Sequence, residues 1–135
     1  MVCRMFTPEQ AEDPACFWDF QEAAARSFDA HCEDPSESWV PPNLTALVMA
    51  ARNTDLRRFF PFTAHENLCF GLRSLYHVGD KPIAPVFISR DRENGYTVWA
   101  CHPYEGRRNA EARKLDTTDP KQADAETERL LAEWP

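Results

Sequence analysis

Glycine is scarce in this chain, and the four that occur, Gly71, Gly79, Gly95 and Gly106, stand far apart. No glycine-rich loop can wrap backbone N–H groups around a phosphate, so nucleotide cofactors are not indicated. The five cysteines, Cys3, Cys16, Cys32, Cys69 and Cys101, form an odd set with no C-x-x-C pair. Neither a disulfide framework nor a zinc knuckle follows from them. The possible ligand atoms at His31, Cys32, Cys69, His77, Cys101 and His102 also lack the short spacing that presents two of them to one ion, so no metal and no cofactor is expected. No stretch approaches the roughly 20 apolar residues of a membrane helix. The opening "MVCRMFTPEQ" has no apolar run of the kind an export signal needs, and the expectation is a soluble cytoplasmic protein with reduced thiols. A net charge of −7 argues against nucleic acid as a partner.

What is present suffices for one domain over residues 1–135, with an apolar fraction of 43%. The charge is unevenly spread. Residues 1–40 hold nine acids against two bases, residues 41–114 seven against eleven, and residues 115–135 six against two. A basic middle between acidic ends has two readings: acidic helices packed around a basic sheet, or a central segment that presents a site to an anionic group.

Helix starts stand at Thr7-Pro8 and Asp13-Pro14, each a capping side chain before a proline. Behind the second, Phe17, Phe20, Ala24 and Phe28 predict an apolar stripe, and the helix should end between Ala30 and Cys32. Asn43 predicts the cap of a second helix, with Leu44, Leu47, Val48 and Ala51 on one face, followed by a short turn at "LRRFF". At Pro61 the period changes from helical to alternating, and Leu68, Phe70 and Leu72 predict one face of a first strand. A hairpin of "IAPVFIS" and "YTVWAC" follows, joined through Asn94-Gly95, with Pro85 at an edge or bulge. "GRRNAEARKL" is either a fourth strand or a loop. Asp119-Pro120 and Gln122 open a final helix with Ala123, Thr127, Leu130, Leu131 and Trp134 on one face. The fold class is α+β: N-terminal helices, a small antiparallel meander of three to four strands, and a C-terminal helix packed on one sheet face.

Chemistry has few candidates. His65, after a proline-fixed bend and near Arg57, Arg58 and Glu66, is placed to act as acid or base, or else satisfies a turn carbonyl or the Thr63 hydroxyl. Cys101 is a possible nucleophile, or a packed apolar thiol. If it lies on a strand, its neighbour His102 points to the opposite face, so its base would come from His65 or His77. The pairs Arg57-Arg58 and Arg107-Arg108, with Arg73 and His102, are candidate ligands for a small anionic group, Arg58 and Arg73 foremost, or else solvated surface charges.

"LTALVMAARNTDLRRFFPFTAHENLCF", "GYTVWA" and "TTDPKQADAETERLLAEWP" together resemble an actinobacterial domain-of-unknown-function family, number 6193, described as a natural-product biosynthesis protein. The resemblance spans residues 44–134. Phe60, Pro61, Phe62, Thr63 and His65 match a Phe-Pro-Phe-Thr-Ser-His type run, and Ala64 stands in place of its serine, so any chemistry of that serine is lost here. The resemblance implies a biosynthetic context and brings no catalytic residues. The functional expectation is a small protein of bacterial secondary metabolism that works mainly by binding. It would serve as an accessory subunit beside a protein partner of the same pathway, or as a binder of a small polar intermediate. The alternative is an enzyme with His65 as acid or base and arginines holding an anionic substrate.

Overall fold

The computed structural model describes residues 13–32, 43–64, 67–72, 83–91, 95–103 and 110–133. Helix α1 spans Pro14–Cys32, α2 Leu44–Arg52 and a 3₁₀ turn Asp55–Arg58. Five strands follow, β1 Phe60–Ala64, β2 Asn67–Gly71, β3 Ile83–Arg90, β4 Tyr96–Trp99 and β5 Arg113–Thr117, and helix α3 spans Pro120–Ala132. The strands form one antiparallel sheet in sequence order, so the α+β meander stands with five strands rather than three to four. The start at Thr7-Pro8 lies outside the described residues. Among them, no helix is long and apolar enough to cross a membrane.

The added strand is β1. A proline inside "FPFTA" reads as a breaker, yet β1 is an edge strand, and a missing N–H is tolerated there. Phe62 pairs with Cys69 and Thr63 with Leu68. The change from helical to strand packing falls here, between Arg58 and Phe60. β2 ends at Gly71, so Leu72 lies beyond the strand and is exposed, against the expected alternation. Pro85 sits where the β2–β3 ladder is irregular, between the pairs Cys69–Phe87 and Gly71–Ile83, so the bulge reading describes it. The polar segment before residue 113 yields to β5 only at its end, where Thr97 pairs with Asp116 and Val98 with Leu115.

The helices bury one sheet face. Leu68, Phe70, Ala84, Val86, Ile88, Tyr96 and Val98 meet Trp18, Leu47, Val48, Ala51, Ala123 and Leu131 in one apolar cluster. Full burial of such side chains contributes about 1.5–3 kcal/mol each. α2 buries the four residues its periodicity predicts. In α1 the buried face is shifted by one position, to Trp18, Gln21, Ala25 and Asp29, with Phe17 also buried and Phe20, Ala24 and Phe28 half-buried. Polar Gln21 and Asp29 disguised that face. The indole N–H of Trp18 donates to the carbonyls of Arg57 (3.1 Å) and Phe59 (3.0 Å), which ties α1 to the 3₁₀ turn and to the start of the sheet. The opposite sheet face is buried too, through Phe62, Cys69, Ile83 and Phe87, with Trp99 and Cys101 packed against them.

Candidate functional site

The Asn43 side chain does not cap α2. Asp29 reaches across from α1 instead, accepting from Leu44 N at 3.2 Å and Thr45 N at 2.7 Å. A carboxylate is the stronger acceptor for the orphan N–H groups of a helix N-terminus. Asn43 is thereby freed to join sheet to helix: its Oδ1 accepts from Arg90 at 3.1 Å, and its backbone carbonyl accepts from the Tyr96 hydroxyl at 2.6 Å. Burial pushes the Tyr96 phenol up to about 12, so it stays neutral and donates.

The α3 cap also departs from the simple pattern. Asp119 accepts from Lys121 N as expected, but Gln122 does not reach back to the cap. Thr117 stands between them, its hydroxyl accepting from Asp119 N at 3.0 Å and donating to Gln122 Oε1 at 2.6 Å. The end of β5 is thus bonded to the first turn of α3.

An open cleft of about 530 Å³ lies at this end of the sheet, lined by Asp91, Tyr96, Arg113, Asp116, Thr117 and Thr118 together with Gly95. The Gly95 N–H donates to Asp91 Oδ1 at 2.9 Å, and a Cβ at Gly95 would come within 2.3 Å of Asp91 Oδ2. A larger residue there would push the Asp91 carboxylate aside. Arg113 and Asp116 make a two-point contact, Nε to Oδ1 at 3.0 Å and Nη2 to Oδ2 at 2.8 Å, and the Thr97 hydroxyl donates to Oδ1 at 2.7 Å. These donors, the Arg113 guanidinium first and the Thr97 hydroxyl second, hold Asp116 below the usual carboxylate range. It stays ionised near neutrality, fit to recognise charge rather than to deliver a proton.

The guanidinium of Arg113 also lies 5.9 Å from the centre of the Trp99 ring, whose N–H donates to the Ser89 hydroxyl at 2.8 Å and whose face stacks on Phe87. The chemistry on offer is recognition: a guanidinium paired to one carboxylate, a second carboxylate and two threonine hydroxyls around an open space.

His65 and Arg73, with His77 and the pair Arg107-Arg108, lie outside the described residues. Arg58 is exposed at the end of the 3₁₀ turn, its guanidinium 4.7 Å from the centre of the Phe59 ring. Cys101 is half-buried and packs against the second apolar cluster, and His102 beside it is also half-buried. β4 ends at Trp99, so this pair follows the strand rather than alternating along it. Arg58 leads into β1 and Cys101 follows β4, three strand spacings or about 14 Å apart, so the structure does not bring them together. Cys16, in the first turn of α1, has its thiol pushed up by burial and then by Asp13 and Asp19, which disfavours a thiolate there. Among the described residues no group of three or more His, Cys, Asp or Glu is arranged to hold a metal ion.

Sequence reasoning missed Asp91, Arg113, Asp116 and Asp124. The first three carry no motif: Arg113 and Asp116 lie three apart on β5, and Asp91 joins them only when β3, β4 and β5 align. Asp124 did carry a signal: with Thr127 and Leu131 it falls at i, i+3 and i+7 on the buried face of α3. Its residue is fully buried, and neither carboxyl oxygen has a hydrogen-bond partner among the described residues. Burial, with repulsion from Glu128 second, pushes it up to about 8.

No protein-family model, no curated protein and no solved structure matches this chain.

Proposed function

We propose that the chain acts by binding a small polar molecule that carries both charges, in the cleft bounded by Asp91 and Gly95 at the ends of β3 and β4, by β5 and by the start of α3. The observation that carries this reading is the Arg113–Asp116 pair on the cleft wall, held in place by Thr97. Arg113, whose Nε and Nη2 already donate to Asp116, offers its remaining N–H groups to a carboxylate, while Asp116 and Asp91 offer acceptors to an ammonium group. The resemblance of residues 44–134 supports a setting in cytoplasmic natural-product biosynthesis, where the protein serves a partner enzyme of the same pathway as an accessory subunit or as the holder of an intermediate.

A thermal-shift and calorimetric screen of free amino acids and ω-amino acids tests the reading. At least one member should bind saturably, and Arg113→Ala and Asp116→Asn should each weaken it about tenfold, the loss of one charge-assisted contact. If no member binds, or if binding is indifferent to both substitutions, the reading is wrong.

A further inference from the structure

The binding reading leaves Asp124 unused. It lies fully buried on the face of α3 that packs against the sheet, and neither of its oxygens finds a donor among the described residues. A buried carboxyl in that position is tolerated as the neutral acid and costs far more as the anion.

Among the described residues, the groups facing this seam leave the carboxyl uncompensated, and the cation Arg90 is engaged elsewhere. From β4 comes Tyr96, whose hydroxyl is committed to the Asn43 carbonyl and whose ionisation the Asp124 charge disfavours. From β3 comes Arg90, bonded to Asn43 Oδ1 and lying 5.1 Å from the Phe28 ring centre. α2 turns Leu44, Leu47, Val48 and Ala51 inward, and β5 turns Leu115. From α1, Asp29 is bonded to the N-terminus of α2, and Asp119 caps α3 itself. On the 3₁₀ turn Asp55 offers its backbone N–H to Glu128, one turn beyond Asp124, and Glu128 repels the anion.

We propose that Asp124 makes α3 a proton-tightened latch: the helix seats with the carboxyl protonated and opens with it ionised, releasing one proton to water and freeing the cleft residue Thr117. The mechanical link is the bond from the Thr117 hydroxyl to Gln122 in the first turn of α3. An acid whose seated value stands above its solvent-exposed value favours the seated state most at low pH. That advantage is lost as pH climbs from the ordinary 3.8 towards about 8, and the loss levels off beyond. Opening therefore becomes easier by up to about tenfold per pH unit within that window. The latch is independent of any ligand, so its failure and the failure of the binding reading are separate results.

Amide hydrogen exchange on the full chain from pH 5 to pH 7.5, corrected for intrinsic exchange and compared with Asp124→Asn, reads this directly. In the wild type the α3 amides should exchange through an opening more frequent than that of β2 and β3, one that rises at least tenfold over the range while the variant stays flat. Parallel profiles for wild type and variant overturn the latch, as do α3 amides that exchange only together with the whole sheet. Should Asp124→Asn fail to fold, Asp124→Leu provides the flat reference. In either case a carbon-detected titration of the wild-type Asp124 carboxyl must show a midpoint well above the ordinary range, and a midpoint below 5 refutes the proposal.

Discussion

Helices α1 and α3 each bury an aspartate, and the two meet opposite conditions. Asp29 receives two backbone N–H groups from the open end of α2 and so closes the α1–α2 seam. Asp124, at the seam between α3 and the sheet, receives none. The α1–α2 seam is further held by Arg52, which reaches Asp19 at 2.6 Å and Glu22 at 3.2 Å, and the Trp18 indole ties α1 onward to the 3₁₀ turn and the start of the sheet. What separates the two carboxyls is the supply of donors rather than depth of burial. The seam with the bonded carboxylate also buries Asn43 Nδ2 and Thr45 Oγ1 without partners among the described residues, while the seam with the unbonded carboxyl adjoins the cleft.

The comparison breaks most visibly at Trp18. Trp18→Ala removes a fully buried indole and two carbonyl partners, and chemical denaturation should show a loss of about 3–5 kcal/mol. Next comes a pair of opposite sign. Asp29→Ala leaves the N–H groups of Leu44 and Thr45 without their acceptor and should cost about 2 kcal/mol. Asp124→Asn should stabilise the protein at pH 7.5 by an amount on the order of a few kcal/mol, because the asparagine needs no proton in order to be buried. The Asp124 gain should shrink as pH falls and vanish only below the ordinary 3.8, where wild-type Asp124 is protonated folded and unfolded alike. Equal signs for the two substitutions would dissolve the contrast. A smaller effect is expected from Gly95→Ala, about 1–2 kcal/mol, as the added methyl displaces the Asp91 carboxylate. Thermal unfolding at fixed pH measures it.

Local chemistry and the β3–β4 hairpin were legible, and the pairings that add β1 and place β5 were not. Asp13-Pro14 and Asp119-Pro120 marked helix starts because a cap and a fixed φ act within one turn. The four inward residues of α2 were readable from period alone. The α1 stripe was read one position off because Gln21 and Asp29 are polar, and their burial is decided by partners on other elements. Pro61 concealed β1 because edge position, which makes the proline tolerable, is a property of the sheet and not of the segment. The cleft was invisible for the same reason: Asp91 follows β3 while Arg113 and Asp116 lie on β5, and only the register that sets Thr97 beside Asp116 brings the two sides together.

The most direct test follows backbone amide shifts while the best-binding amino acid is titrated in. The account predicts saturable changes gathered at Asp91, Gly95, Arg113, Asp116, Thr117 and Thr118, with Leu44 and Thr45 at the α1–α2 seam unmoved. Changes centred on that seam, or none at the cleft at saturating ligand, would contradict it.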